Sequence, residues 1–218
     1  MNHPPAIICI GRNYEAHAAE MGASRPDAPT VFMKNPAAVI SNGDDIVIPE
    51  ISGSHGPELD YEGELAVILG SDLRNATNAS AMDAIKGYAV ANDVTARWWQ
   101  KKGSGGQWIR GKSFDTFCPM TEMVPASSIK DPQQLKLVTK VNGEIRQDAS
   151  TSEMIFPVLD LLVDLSRDMT LLSGTVLLTG TPEGVGAGRT PQEFLTDGDV
   201  VEVEIPGIGH LCNPVKAR

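Results

Sequence analysis

Two glutamates at the start of an apolar run constrain this chain more than any other feature. Residues 60–70 read Asp-Tyr-Glu-Gly-Glu-Leu-Ala-Val-Ile-Leu-Gly, so an acidic segment leads into five apolar residues and a closing glycine. A short apolar run of this kind predicts a buried strand. Because side chains alternate across a strand, Glu62 and Glu64 are expected to project from the same face as near neighbours, with Gly63 leaving the other face bare.

Neighbouring carboxylates at the edge of an apolar core need compensation. They repel each other and lose hydration, so a shared proton, a basic partner or a cation must offset the cost. Oxygen ligands at this density suit magnesium, calcium or manganese. On this segment alone, a solvated strand end with both acids in water is equally compatible with the pattern.

Length, charge and cysteine content narrow the class of protein. The chain has 218 residues and a formal net charge of −10. This length fits one large domain, with or without a small appendage, and needs no disulfide. The negative charge argues against a nucleic-acid partner, because that affinity comes mainly from clustered Lys and Arg. Three cysteines without paired spacing, no signal peptide and no membrane-spanning run lead us to expect a cytoplasmic protein with no membrane partner.

A histidine pair and a lone aspartate are further candidate site residues. His17 and Glu20 lie in a predicted short helix with Asn13 as its N-cap, and their spacing puts them on one helix face. A carboxylate there can orient an imidazole and raise its basicity, although a surface pair has the same spacing. Asp93 interrupts the strand predicted at residues 88–94, where an acid is costly unless it is paired or ligated. An Asx turn at the strand end is the alternative.

Residues 95–115 have an unusual composition. They contain all three tryptophans and five cations of an otherwise acidic chain. A glycine-rich loop with aromatic and basic residues suits a small anionic ligand, because arginine can bind a carboxylate through two N–H groups. The same residue types occur in single-strand nucleic-acid binders, which the acidic balance disfavours. We expect Lys101 and Lys102 to be solvated.

The remaining patterns predict a β-rich chain with a few short helices. Asn-Gly turns predict β-hairpins at residues 38–48 and 135–147. Apolar positions at helical spacing predict a core helix over residues 154–165. A strand at residues 175–179 leads into a loop rich in glycine and threonine, which can present backbone N–H groups to an anion.

Several motifs stand in a fixed order along the chain. They are Gly11-Arg12-Asn13-Tyr14 with His17 and Glu20, Asp60-Tyr61-Glu62-Gly63-Glu64-Leu65, Asn92-Asp93-Val94-Thr95-Ala96-Arg97, Gly111-Lys112-Ser113-Phe114-Asp115, Val141-Asn142-Gly143-Glu144, and Leu178-Thr179-Gly180-Thr181-Pro182-Glu183-Gly184-Val185-Gly186. In this order the chain resembles the fumarylacetoacetate hydrolase superfamily, in particular its short acylpyruvate hydrolases and related isomerases and decarboxylases. The resemblance implies an α+β, β-rich fold, a mixed β-sandwich roll with a few short helices. It also implies a single catalytic domain over residues 1–218, with residues 11–25 as a mobile lid.

The resemblance implies roles for individual residues. The family's metal-ligating carboxylates fall on Glu62, Glu64 and Asp93, which would hold Mg²⁺ or Mn²⁺, with Ca²⁺ as a third option. Its catalytic residues fall on Lys112, which would stabilise enolate charge, and on His17, which Glu20 would orient to deprotonate water. The implied substrate-binding residues are Arg12, Tyr14, Arg97, Gln100, Gly180 and Thr181.

These roles imply a divalent-metal-dependent hydrolase that cleaves a C–C bond in an acylpyruvate, such as fumarylpyruvate or acetylpyruvate, to give pyruvate and a carboxylic acid. The alternative is an isomerase, tautomerase or decarboxylase that acts through the same metal–enolate site on oxaloacetate or on substrates similar to 2-hydroxyhepta-2,4-diene-1,7-dioate. A protein that binds small dicarboxylates without turnover is a further alternative, which the His17–Glu20 pair disfavours.

The resemblance also implies binding partners and a difference in the shape of the pocket. Expected partners are a small oxo-acid substrate and a second copy of the chain in a homodimer. Many relatives carry an acid after the arginine of the Thr-Ala-Arg motif, whereas this chain has Trp98. We therefore expect Trp98 to alter the pocket wall.

Overall fold

The computed structural model describes residues 3–56 and 58–217, so residues 1, 2, 57 and 218 of the predicted single domain lie outside the described part. The strands within it are β1 (Ile7–Gly11), β2 (Thr30–Lys34), β3 (Val39–Ser41), β4 (Ile46–Ile48), β5 (Leu59–Asp60), β6 (Gly63–Leu69), β7 (Ile85–Asn92), β8 (Thr95–Ala96), β9 (Cys118–Met120), β10 (Val124–Pro125), β11 (Lys136–Val141), β12 (Glu144–Ser150), β13 (Val176–Leu178), β14 (Val200–Ile205) and β15 (Gly209–Ala217). The α-helices are α1 (Glu15–Glu20), α2 (Asn78–Ala84), α3 (Arg97–Gln100), α4 (Ile109–Lys112) and α5 (Val158–Leu165). The predicted α+β, β-rich class is confirmed.

The strands form two large sheets and one small one. The larger sheet has the order β2-β1-β13-β6-β7-β9-β3, with β10 also paired to β7. The second sheet has the order β12-β11-β14-β15-β4, and β5 pairs with β8. Both large sheets are mixed, because β1 runs parallel to β13 but antiparallel to β2, and β15 runs parallel to β4 but antiparallel to β14.

The larger sheet curves into a roll. In the sheet order β2 is separated from β7 by β1, β13 and β6, which in a flat sheet would put the two strands about 19 Å apart. Lys34 at the end of β2 nevertheless has its Nζ 2.5 Å from Oδ1 of Asp93, directly after β7. The curvature therefore encloses side chains from several strands on the inner face, including the acids Glu62, Glu64 and Asp93.

The second sheet packs against the larger one where Gly63 begins β6. A Cβ atom at Gly63 would overlap Thr139 of β11 and Val203 of β14. The bare face predicted at this glycine is thus a place where the two sheets approach closely. Burial of residues such as Leu65, Leu137 and Val203 between the sheets forms the core.

Of the hairpins and the helix predicted from the sequence, some are confirmed and some are not. The hairpin at residues 135–147 is confirmed by the pairing of β11 with β12. The hairpin at residues 38–48 is wrong, because β3 pairs with β9 and β4 pairs with β15 in the other sheet. The helix predicted over residues 154–165 begins only at Val158, since Pro157 takes the N-cap position.

Asn13 does not cap α1 as predicted. Its side chain instead donates hydrogen bonds to the carbonyls of Thr179, at 2.8 Å, and Phe156, at 3.1 Å. Tyr14 occupies the N-cap position without a side-chain hydrogen bond. Asn13 therefore ties the start of α1 to the segment after β13.

Among all described residues, no helix combines the length and the apolar character that crossing a bilayer requires.

Candidate functional site

Strand pairing brings the three predicted carboxylates together. Gly63 of β6 lies opposite Asn92 of β7, and the backbone N–H of Asp93 donates to the carbonyl of Glu62 at 2.8 Å. Glu62, Glu64 and Asp93 are all buried, and they offer carboxylate oxygens that lie within 4.8 Å of one another. The predicted proximity is confirmed, and a solvated strand end is excluded.

Three buried cations surround these acids. Lys112 Nζ lies between Glu62 Oε2, at 2.6 Å, and Asp93 Oδ2, at 2.7 Å. Lys34 binds the other oxygen of Asp93 and also donates to the carbonyl of Val94 at 3.2 Å. Arg97 Nη2 lies 2.8 Å from Glu62 Oε1. Lys34 is absent from the sequence-based candidates, because only the closure of the roll brings it to Asp93.

Glu62 and Glu64 differ in the direction in which their surroundings shift the carboxyl pKa. Burial raises the pKa of Glu62, but Lys112 and Arg97 outweigh it and lower the pKa to about 2. Burial and repulsion from Asp93 and Glu62 raise the pKa of Glu64 well above its usual range. Glu64 forms no ion pair with the described residues, and Gly180 N–H donates to its Oε2 at 2.7 Å. A buried all-oxygen donor set in which one carboxylate lacks a basic partner fits a hard divalent cation.

A cavity of about 270 Å³ opens beside this acid cluster (Glu62, Glu64 and Asp93). It is lined by Ile10, Gly11, Arg12, His17, Met21, Phe32, Glu62, Arg97, Gln100, Lys101, Trp108, Lys112 and Thr181. Seven of the predicted site residues therefore meet in one space. Lys101, which we expected to be simply solvated, is exposed but also contributes to this wall.

Aromatic rings and cations form one side of the cavity. Phe32 and Trp108 pack with ring centroids 5.3 Å apart. The guanidinium of Arg12 lies 5.5 Å from the Trp108 ring, and Lys112 Nζ lies 5.1 Å from the Phe32 ring. Arg12 has a φ of 58°, a left-handed conformation that is uncommon outside glycine and is often found at functional sites.

Trp98 does not alter the cavity wall, contrary to our expectation. Its ring stacks on His55 with centroids 4.0 Å apart and packs against Trp99, and it is absent from the residues that line the cavity. The reason is the short helix α3, which directs Arg97 and Gln100 inward and leaves Trp98 half-buried on the other side. Trp108 is the tryptophan at this site.

The predicted histidine pair lies at the same cavity. His17 Nδ1 is 2.7 Å from Glu20 Oε1, and the His17 side chain is only 7% exposed, so a plain surface pair is excluded. The second oxygen of Glu20 accepts a hydrogen bond from Gly184 N–H at 2.9 Å. The described residues form no hydrogen bond to His17 Nε2, which leaves this nitrogen for proton transfer.

Asp60 is a site residue that the sequence patterns did not reveal. Its Oδ2 accepts from Arg97 Nε at 2.8 Å, and Arg97 Nη1 in turn donates to Gln100 Oε1 at 3.1 Å. Arg97 is thus held by Asp60 and Glu62, which raise its pKa despite burial. In this arrangement Arg97 supports the acid cluster from the cavity wall.

The other predicted substrate residues lie at different depths. Thr181 lines the cavity, donates from Oγ1 to the Gly63 carbonyl at 3.0 Å and accepts from Gln147. Gly180 contacts Glu64 and is not a lining residue. Tyr14 is buried in the hydrophobic core, where its hydroxyl has no hydrogen-bond partner among the described residues.

Fold and site together define a rolled, mixed-sheet protein with a buried carboxylate centre beside a histidine–glutamate pair. The chain belongs to the fumarylacetoacetate hydrolase family, since the family model described as Fumarylacetoacetate (FAA) hydrolase C-terminal matches residues 6–216. This membership confirms the resemblance inferred from the motifs.

Known proteins resemble the chain over nearly its whole length. Oxaloacetate tautomerase YisK of Bacillus subtilis is 47% identical over 212 residues, covering 96% of this chain and 69% of the relative. The mitochondrial oxaloacetate tautomerase fahd2 of Xenopus laevis is 43% identical over 216 residues, covering 99% and 66%. The chain thus spans about two thirds of the length of these curated relatives.

Solved structures show the same fold. A fumarylacetoacetate hydrolase from Exiguobacterium antarcticum is 43% identical with a TM-score of 0.88, covering 99% of this chain and 76% of that one. A 5-carboxymethyl-2-hydroxymuconate delta-isomerase from Mycobacterium smegmatis is 39% identical with a TM-score of 0.84, covering 99% and 80%. These four relatives are therefore named as enzymes of the family.

Proposed function

We propose that the chain is a divalent-metal-dependent tautomerase that interconverts the keto and enol forms of oxaloacetate or a closely similar 2-oxo dicarboxylate. The observation that carries the proposal is that His17, Lys112 and Glu62 line one cavity. Two curated relatives named oxaloacetate tautomerase support the choice. The acylpyruvate hydrolysis expected from the sequence lacks such support, so the experiment below tests it as the rival outcome.

Cavity size and charge favour a small dianion. A volume of about 270 Å³ lies below the range typical of pockets for drug-sized ligands. Arg12 and Lys101 contribute positive charge to its wall. The charges of Arg97 and Lys112, in contrast, are balanced by the buried acids. Such a wall suits a short substrate with two carboxylates better than a longer acyl chain.

Glu62, Glu64 and Asp93 would hold the cation, with Mg²⁺ or Mn²⁺ as the proposed ion. When bound, a divalent cation polarises the 2-oxo carbonyl and makes the proton on C3 more acidic. Lys112 remains an ammonium, because Asp93 and Glu62 raise its pKa despite burial. It can therefore donate a hydrogen bond to the substrate's 2-oxygen as negative charge develops there.

His17 is the proposed proton carrier. Its Nε2 accepts the proton from C3, and Glu20 at Nδ1 stabilises the resulting imidazolium. Transfer of that proton from Nε2 to the 2-oxygen gives the enol, and the reverse sequence gives the ketone. Arg12 binds the remote carboxylate from the aromatic side of the cavity.

The test compares three reactions of the same protein preparation. Loss of the enol absorbance of oxaloacetate is measured with Mg²⁺ and with a chelator, while pyruvate release is assayed in parallel from oxaloacetate and from acetylpyruvate. The proposal predicts metal-dependent enol loss without matching pyruvate. Pyruvate from acetylpyruvate at a higher kcat/KM would establish the hydrolase, and pyruvate from oxaloacetate in step with absorbance loss would establish a decarboxylase.

A matched control comes from a second histidine–glutamate pair. His210 Nε2 lies 3.0 Å from Glu202 Oε2 on β14 and β15, where the histidine side chain is 48% exposed. His210→Gln should leave enol loss unchanged, whereas His17→Gln should abolish most of it.

A further inference from the structure

One glycine-rich segment contacts both sides of the site. In residues 184–188, here called the glycine loop, Gly184 N–H donates to Glu20 Oε2 at 2.9 Å. Gly186 N–H and Ala187 N–H donate to the two oxygens of Asp60 at 2.7 and 2.9 Å. The loop therefore holds the carboxylate that orients His17 and the carboxylate that holds Arg97.

Gly188 leaves the space that the Glu20 carboxylate occupies. A Cβ atom at Gly188 would lie 2.5 Å from Glu20 Oε2 and 2.6 Å from its Cδ, and its three nearest neighbours all belong to Glu20. The φ of Gly188 lies outside the left-handed region, so alanine could adopt the same backbone. The side chain of Glu20, rather than backbone geometry, explains the glycine at this position.

Gly184 is constrained in a different way. Its φ is +101°, and a Cβ atom there would overlap the carbonyl of Arg146. The hydroxyl of Tyr61 donates to the Gly184 carbonyl at 2.9 Å. The residue whose N–H binds Glu20 is thus fixed from the other side by a buried tyrosine.

We propose that Gly188 is a positioning residue for the His17–Glu20 pair, with Tyr61 supporting the same contact through Gly184. Gly188 seats the Glu20 carboxylate between His17 Nδ1 and the Gly184 N–H, and so fixes the imidazole at the cavity. The part of this inference that concerns catalysis depends on the proposed tautomerase function. The seating of Glu20 does not.

The test is a double-mutant cycle of Gly188→Ala and Glu20→Ala. The added methyl group at position 188 displaces the Glu20 carboxylate and weakens a charge-assisted hydrogen bond, so kcat should fall on the order of tenfold. KM and Mn²⁺ affinity should be unchanged, because the acid cluster is untouched. In the Glu20→Ala background the Gly188→Ala change should have no effect. An equal loss of kcat in both backgrounds would overturn the proposal.

Amide hydrogen exchange over residues 15–20 tests whether Gly188 positions Glu20, and it needs no substrate. Gly188→Ala should accelerate exchange in α1 in the wild-type background and not in the Glu20→Ala background. Gly70→Ala is the matched control, since the three nearest neighbours of its methyl group all belong to Lys86 at the far end of β6. Unchanged exchange in Gly188→Ala would overturn the inference.

The two proposals fail separately. The wild-type protein could show no tautomerisation while hydrogen exchange in the Gly188→Ala and Glu20→Ala variants behaves as described. In that case the proposed function fails, and the positioning of Glu20 by Gly188 is still supported. If Gly188→Ala does not fold, Tyr61→Phe takes its place in the cycle, because it removes only the hydroxyl group that fixes Gly184. Tyr61→Phe should then accelerate exchange in α1 only when Glu20 is present. Equal acceleration in both backgrounds, or no acceleration in either, would overturn the proposal.

Discussion

The acid cluster and the histidine pair are built in different ways. Glu64 lies in β6, and Glu62 and Asp93 directly adjoin the paired strands β6 and β7 in the middle of a large sheet. All three are buried with cations around them. His17 and Glu20 lie on α1, a helix of six residues without a side-chain N-cap bond. The proposed cation binding therefore depends on the sheet, whereas the proposed proton transfer depends on how one short helix docks. Mutations should separate the two.

The largest expected effect is from Glu64→Gln. The amide can still accept from Gly180 N–H, but it removes the one carboxylate of the cluster that lacks an ion pair with the described residues. We expect Mn²⁺ binding, measured by calorimetry, and turnover both to be lost while the circular dichroism spectrum is retained. Wild-type Mn²⁺ affinity in this variant would show that the cation binds elsewhere.

His17→Gln should remove turnover and keep the cation site. Loss of a general base typically costs about 10²- to 10⁴-fold in rate. Steady-state kinetics should show this loss in kcat, with Mn²⁺ affinity as in the wild type. A parallel fall in Mn²⁺ affinity would mean that the two regions are not separable. His210→Gln provides the control at an exposed pair of the same residue types.

Glu20→Gln should have a smaller effect. The amide preserves shape but replaces a charge-assisted hydrogen bond to the imidazolium, so kcat should fall about tenfold to a hundredfold. Glu202→Gln is the matched control on the exposed pair. A loss as large as that of His17→Gln would indicate that Glu20 itself transfers the proton.

Tyr61→Phe should have the smallest effect. It removes a single neutral hydrogen bond to Gly184, worth about 0.5–1.5 kcal/mol. We expect a decrease of this size in the free energy of unfolding in urea, and a fall in kcat of at most about tenfold. Unchanged kcat together with unchanged stability would show that the Tyr61 hydroxyl does not support the loop.

Contacts between residues that are near one another in the chain could be predicted from the sequence. Alternation along β6 predicted that Glu62 and Glu64 are neighbours, and the cost of burying an acid singled out Asp93. The i,i+3 spacing predicted the contact of His17 with Glu20. Each of these inferences needs only local geometry or the chemistry of one side chain.

Long-range contacts were not predictable in this way. Lys34 binds Asp93 across 59 residues and Arg97 binds Asp60 across 37 residues, so neither contact has a local signal. The wrong hairpin at residues 38–48 has the same origin, since each strand finds its partner far along the chain. The resemblance implies a metal–enolate site that several reactions share. Hydrolysis was the expectation because the His17–Glu20 pair was interpreted as the group that deprotonates water.

The most direct measurement of the central claim is proton exchange at C3 of oxaloacetate in D₂O, followed by NMR with Mg²⁺ present and after chelation. The account predicts that the wild-type protein accelerates deuterium incorporation at C3 only with the cation, that His17→Gln loses this acceleration, and that pyruvate does not accumulate at the same rate. Exchange no faster than in buffer alone, or acceleration that survives in His17→Gln, would contradict it.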